Sequence, residues 1–269
     1  MSGVTSEAIA LVRASRPITL LRGPTHVTNN SEIEIDITFE CNLKCENCDR
    51  SCSQAPNDGR MEVDRIIKFI EESKAIGKNR RKISILGGEP MIHPQIPEIL
   101  DLFLEFKEKH SPGTMLEVAT NGYGRHVKEA IELIPRDFFV RNSAKTSPRQ
   151  ESFEPFNVAP RDRLRNRFSD YSNACHITSC PGMGMNRYGF YQCGVAGGID
   201  RVMGFDIGLK RIPGDAERFI LLKRRLCAFC GHFNNLGTNV SELDGRTSTR
   251  SWAKAYKDYA NVPPKLTVY

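Results

Sequence analysis

Cys41-Asn42-Leu43-Lys44-Cys45-Glu46-Asn47-Cys48 sets three cysteines at C-x-x-x-C-x-x-C spacing, directly after a run that reads as a strand. Three thiolates this close can grip a metal centre and leave one coordination position open. Catalysis at a metal needs such a position, whereas a closed structural site takes a full set of protein ligands. The stretch therefore reads as a cluster-binding loop, with a zinc or structural metal loop as its rival.

The flanking sequence places this loop. Glu32 to Thr38 alternates Ile33, Ile35 and Ile37 with acids, a strand signal that feeds straight into the cysteines. Arg60 to Gly77 carries apolar residues at near-helical spacing and closes on Gly77. Lys82 to Leu86 is a short apolar strand ending in Gly87-Gly88-Glu89-Pro90. A helix over Pro94 to His110, a strand over Thr114 to Thr120 ending in Asn121-Gly122, a helix over Arg125 to Ile134 and a strand over Phe138 to Ala144 follow. Alternating strand and helix predict an α/β fold with a mostly parallel sheet. Ligands of such sheets bind at the carboxyl ends of strands. The cysteine loop, the Gly-Gly-Glu-Pro segment, the Asn-Gly turn and the loop after Arg141 all fall there, so they converge on one face.

A chain of 269 residues can bury a full core, enough for one large domain with a small appendage. No apolar run approaches the ~18–20 residues of a membrane span. Residues 1–30 give little beyond a short helix over Ser6 to Ser15, and they carry no apolar signal-peptide core. A cytoplasmic location is expected. The net charge of +6 is compatible with an anionic ligand but too weak to argue for nucleic acid. Nine cysteines, odd in number and clustered, argue for metal ligation over disulfides in such a chain.

After Thr146 the pattern weakens. Ser147 to Phe168 reads as a long connection and a candidate part of the substrate site; Arg161, Arg163, Arg165 and Arg167 read as a solvated face, with inward binding of a phosphate or carboxylate as the alternative. Cys175 to Ser179 is predicted as a short strand, Gly184 to Gly194 as a hairpin, and Glu217 to Leu226 as a helix running into Cys227-Ala228-Phe229-Cys230. A tail helix spans Trp252 to Ala260, and Pro263-Pro264 is expected to end order.

The cysteine loop together with Gly87-Gly88-Glu89-Pro90 resembles the radical S-adenosylmethionine superfamily. The resemblance implies a partial (β/α) barrel and a 4Fe–4S cluster held by Cys41, Cys45 and Cys48. It implies that S-adenosylmethionine chelates the remaining iron and yields a 5′-deoxyadenosyl radical. It also implies cosubstrate contacts from Gly87, Gly88, Glu89, Pro90, Asn121 and Ser143, and a flavodoxin- or ferredoxin-type electron donor. Glu89 would accept hydrogen bonds from the methionine ammonium. The family usually has an aromatic residue before the third cysteine to help seat the adenine; here it is Asn47.

Cys180, Cys193 and Cys227-x-x-Cys230 resemble the superfamily's twitch appendage, a shortened SPASM domain. There four cysteines hold an auxiliary 4Fe–4S cluster; a four-cysteine zinc site is the rival. The implied division is an extension over 1–30, the radical core over 31–173, and a small hairpin-plus-helix auxiliary cluster domain with the tail over 174–269. Cys52 and Cys175 read as small buried residues. The sharper alternatives are a hydrogen-atom donor or, for Cys175, a ligand in place of Cys180. Arg141, on a strand end, is the better candidate among the arginines to meet a phosphate or carboxylate.

Abstraction of a hydrogen atom removes one electron, so a two-electron oxidation needs a further acceptor. A fully ligated auxiliary cluster suits that task, as in the family's twitch-bearing dehydrogenases. Oxidation of a small polar substrate (a sugar, cyclitol or nucleotide-like molecule) is the first expectation. Epimerisation, ring rearrangement and peptide maturation are the alternatives within the family. A zinc-binding interaction module is the alternative outside it.

Overall fold

The apolar and polar alternation of Glu32–Thr38 is reproduced in a computed structural model of the chain, where that segment is strand β1 at the middle of a six-stranded sheet. The structure describes residues 9, 11–57, 59–149, 156–234 and 248–269. Residues 6–8 and 10 of the helix expected over Ser6–Ser15 lie outside them. A short helix α1 (Arg16–Arg22) precedes β1. Then come α2 (Val63–Ala75), β2 (Lys82–Gly87), α3 (Ile96–His110), β3 (Met115–Thr120), α4 (Arg125–Glu132) and β4 (Phe138–Asn142). The second half holds α5 (His176–Ser179), a hairpin of β5 (Met183–Asn186) and β6 (Gly189–Tyr191), α6 (Gly194–Met203), α7 (Ile220–Leu226) and α8 (Arg250–Asn261).

The sheet order is β4-β3-β2-β1-β5-β6. All neighbours are parallel except the β5–β6 hairpin. The fold is thus α/β with a parallel-dominated sheet, as the alternation predicts. Register gives the sheet two unlike faces. Ile33, Ile83, Leu116, Phe138 and Met183 align in one row, and Ile35, Ile85, Val118 and Met185 in another. These rows are buried under α2 and α3, whose Phe69 and Phe103 rings lie 6.3 Å apart. Each fully buried apolar side chain contributes about 1.5–3 kcal/mol. Helix α2 stops where the sequence says it should. Gly77 takes φ 61°, its N–H reaches Lys74 O, and the Lys78 N–H reaches Ser73 O. The opposite face carries Glu34, Ser84 and Glu117 in one row and faces the interior of the partial barrel.

Four features depart from the sequence reading or add to it. Cys175–Ser179 is not a strand: the Thr178 N–H and hydroxyl both bond to Cys175 O, which winds the segment into one helical turn. The expected hairpin forms as β5 and β6, and β5 also pairs with β1 and so continues its sheet. Helix α6 is absent from the sequence reading, since three glycines in Gly194–Met203 argue against a helix. Close packing overrides that preference. A methyl group on Gly197 would run into the Asn186 side chain, and one on Gly198 would stand 3.2 Å from Arg50 Cα. Finally, order continues past Pro263-Pro264. Tyr269 is 2% exposed, donates its N–H to Arg187 O, and sets its ring edge-on to Phe190.

Candidate active site

Strand β1 delivers the first cysteine group, and the two glycines at the end of β2 fix where it goes. The Gly88 N–H bonds to Thr38 O and the Glu89 N–H to Glu40 O, each at 2.8 Å. A methyl group at Gly87 would run into Thr38 O, and one at Gly88 into Glu40 O. Only glycine lets the two backbones lie this close. Cys41 is therefore held directly over the Gly-Gly step. Its sulfur accepts the Leu43 N–H at 3.4 Å and the Asn121 amide at 3.8 Å. That amide also bonds to Asn42 Oδ1 at 2.8 Å, while Asn42 reaches Tyr123 O at 2.6 Å. The Asn-Gly turn thus braces the cysteine loop.

Burial pushes the Cys41 thiol up to about 12 and the Cys45 thiol up to about 11. Cys48 is shifted down, chiefly by a hydrogen bond from the buried Cys52. Cys52 therefore lies against the loop. Glu89 is fully buried. It accepts the Met91 N–H (3.1 Å), the Thr120 hydroxyl (2.7 Å) and the Asn121 N–H (2.7 Å). Burial raises its carboxyl and these bonds pull it back. Three of about four acceptor positions on the carboxylate are thereby taken. In this structure Glu89 ties the end of β2 to the end of β3. Pro90 opens a buried 3-10 turn, and Ser143 Oγ bonds to Thr120 O at 3.2 Å. Asn47 is buried and donates to Asn157 Oδ1 at 2.6 Å, so it anchors the loop to a later segment. A cleft of about 550 Å³, lined by Tyr123, Gly124, Arg125, Lys128, Lys145 and Thr146, opens beside the loops after β3 and β4. That size suits a small-molecule ligand.

The polar face of the sheet is the part of the site that sequence reasoning missed. Arg50 is buried and bonds to Glu34 (2.8 Å), Asp36 (3.3 Å) and Asp49 (2.5 Å). Burial pushes the Asp36 carboxyl up to about 7, against the pull of Arg50. Arg141 does face this surface, but carboxylates hold it: Glu117 lies at 3.2 Å and Glu34 at 3.9 Å. Lys82 adds a further contact to Glu117 at 3.6 Å. Ser84, between Glu34 and Glu117 in register, is fully buried, and its hydroxyl has no partner among the described residues. The alternation Glu32, Glu34, Asp36 was the available signal, since acids on the inner face of a central strand need a reason. Arg50→Met should cost about 3–5 kcal/mol in anaerobic urea unfolding, because it strands buried carboxylates. A loss below about 1 kcal/mol would show that the pairs contribute no more than surface ones.

The second cysteine group forms from three segments. Cys175 precedes α5, Cys193 precedes α6, Cys227 follows α7, and Cys230 ends the 3-10 turn after it. All four are buried and line one cavity. The sequence groups Cys180 with the last three, but the structure brings Cys175 to them and leaves Cys180 exposed. The turn of α5 separates the two, one at its entry and one at its exit. Gln192 Nε2 lies 3.8 Å from the Cys227 sulfur, and His232 Nδ1 lies 3.3 Å from the Cys230 sulfur. Burial, then the neighbouring Cys175, pushes Cys227 up to about 12. Among the described residues no three His, Cys, Asp or Glu side chains close on a single metal ion. The four thiols ring a cavity instead, a donor set that fits a cluster of irons bridged by sulfide.

The sequence model of the Radical SAM superfamily matches residues 35–139, which run from β1 into β4. The chain thus carries a radical SAM superfamily domain built around the Cys41–Cys48 loop. Among curated proteins it is similar to the probable GTP 3′,8-cyclase of Methanococcus maripaludis strain C6, 30% identical over 96 residues. That alignment takes in 36% of this chain and 32% of that protein. The GTP 3′,8-cyclase of Aliarcobacter butzleri is 29% identical over 93 residues, 34% of this chain and 27% of that one. The chain therefore spans about a third of the length of the curated relatives it matches. Among solved structures it is similar to BtrN in complex with AdoMet and 2-DOIA, with a TM-score of 0.46 and 15% identity. The match covers 76% of this chain and 89% of that one. No described helix is long and apolar enough to cross a membrane.

Proposed function

We propose that the protein is a radical S-adenosylmethionine enzyme that carries out a two-electron oxidation of a small polar substrate. The observation that carries this reading is the second cysteine group, four buried thiols around one cavity in addition to the open three-cysteine loop. Cys41, Cys45 and Cys48 would hold the first 4Fe–4S cluster, and Cys175, Cys193, Cys227 and Cys230 the second. When bound, the first cluster and S-adenosylmethionine supply a radical that takes one hydrogen atom, and a fully ligated second cluster suits the remaining electron.

The chain's own residues have separable tasks in this reading. Gly87 and Gly88 position the loop, Glu89 and Asn121 brace it, and the cleft beside Tyr123 and Lys145 receives the cosubstrate. The polar face offers the half-exposed Arg141 guanidinium to a polar or anionic substrate, with Glu34 and Glu117 holding it in place. A flavodoxin- or ferredoxin-type donor would supply the reducing electron. The division into a core over 31–173 and a cluster-bearing part over 174–269 follows the two cysteine groups, although they share one sheet.

Nucleotide ring rearrangement is the second reading, favoured by the names of the cyclase relatives. An aligned stretch of 96 residues is too short to contain both cysteine groups of this chain. Anaerobically reconstituted protein should hold about eight irons. With reductant and S-adenosylmethionine it should form 5′-deoxyadenosine, and a sugar or cyclitol substrate should lose two hydrogens by mass. A product isomeric with its substrate would favour rearrangement or epimerisation. A colourless, zinc-loaded protein that takes up no iron would end the proposal.

A further inference from the structure

A buried lysine stands beside the second cysteine group. Lys223 lies on α7 and is 3% exposed. The Cys227 N–H donates to the Lys223 carbonyl, so Cys227 follows one helical turn later on the same side of the helix. A cation removed from water needs opposing charge. Burial shifts the Lys223 ammonium down, and negative charge on Cys227, Cys193 and Cys175, close enough to act on it, works against that shift. The further charge acting on it, Arg218, is a cation and works the other way. Three of the four cavity cysteines would thus become its counter-charge once they bind a cluster as thiolates. Gln192 and His232 lie against the sulfurs of Cys227 and Cys230, and the Ala196 N–H and the Glu34 carboxylate act on Cys193.

Four thiolates around a cluster give a net negative site, and one-electron reduction adds a further negative charge. Net charge and contacts to the sulfurs set the potential of such a centre. We propose that Lys223 is the charge-compensating residue of the second cluster, stabilising its reduced state so that it accepts an electron from the substrate side. The inference rests on reading the second group as a cluster site, and the test separates the two.

The background is the chain with Cys41, Cys45 and Cys48 changed to alanine, reconstituted anaerobically so that only the second site can load. Uptake of about four irons is expected. No uptake would remove the second cluster and this inference with it. With iron present, a potentiometric titration against a chemical reductant, read by electron paramagnetic resonance, compares Lys223→Met and Lys223→Arg. Lys223→Met should make reduction at least tenfold less favourable, about 59 mV for a one-electron couple. Lys223→Arg, which keeps the charge, should stay within about threefold of the parent. If neither Lys223→Met nor Lys223→Gln loads iron while Lys223→Arg does, the positive charge is needed to hold the cluster at all, which supports the assignment. An unchanged potential in an iron-loaded Lys223→Met would overturn it, as would failure of all three variants to load.

Discussion

Cys175→Ala is expected to remove about half of the iron from reconstituted protein, whereas Cys180→Ala should leave the iron content unchanged. The two residues are five positions apart, and from sequence either could complete the second group. The structure separates them by exposure and direction. Cys175 lines the cavity with Cys193, Cys227 and Cys230, while Cys180 is exposed at the far end of a one-turn helix. The charge interactions agree, since Cys175 acts on Cys193, Cys227 and Cys230 alike. A cluster that loses one of its thiolates is exposed to loss, and an alanine supplies no replacement donor. The readouts are iron and sulfide analysis and the electron paramagnetic resonance signal of the reduced protein. Formation of 5′-deoxyadenosine should continue in Cys175→Ala, because the first group is untouched, while formation of an oxidised product should fail. The opposite pattern, with iron lost in Cys180→Ala and kept in Cys175→Ala, would reverse the ligand assignment.

The same pair shows why the sequence carried some of the site and not the rest. The Cys41–Cys48 loop is local: its ligands lie within one turn of chain, and a period-two strand leads into it. Chain order alone was enough to place it at a strand end beside Gly87-Gly88 and Asn121. The second group draws its ligands from three segments, and its membership depends on which end of α5 meets the cavity. No periodicity in a four-residue helix can report that. Helix α6 was hidden for a related reason. Its glycines lower helix propensity, but here they admit Asn186, Tyr191 and the Arg50 backbone at close range, a tertiary requirement. Asn47 is a third case. Its departure from the usual aromatic residue was visible in sequence, but the partner that accounts for it, Asn157, is distant in the chain. The acids of β1 were visible too, yet only the register of β1, β2 and β3 shows Glu34 and Glu117 flanking Ser84.

Gly88→Ala is expected to abolish loading of the first cluster while sparing the second. The added methyl group has nowhere to go, because it meets the Glu40 carbonyl oxygen and lies 3.1 Å from Cys41 Cβ. Both neighbours are backbone or directly attached to it, so no side-chain rotation relieves the clash. The cheapest response is to break the bond from the Glu89 N–H to Glu40 O and lift the start of the cysteine loop. Overpacking of this kind costs about 1–3 kcal/mol, which a folded domain of this size can absorb. The larger consequence is positional, since Cys41 would move relative to Cys45, Cys48 and Asn121. Iron should fall by about half and S-adenosylmethionine cleavage should cease, the reverse of the Cys175→Ala pattern. Gly113→Ala is the matched control, because among the described residues nothing lies within 4 Å of a methyl group there. Full iron content with normal 5′-deoxyadenosine formation in Gly88→Ala would show that the loop is positioned by its cluster and not by the Gly-Gly step.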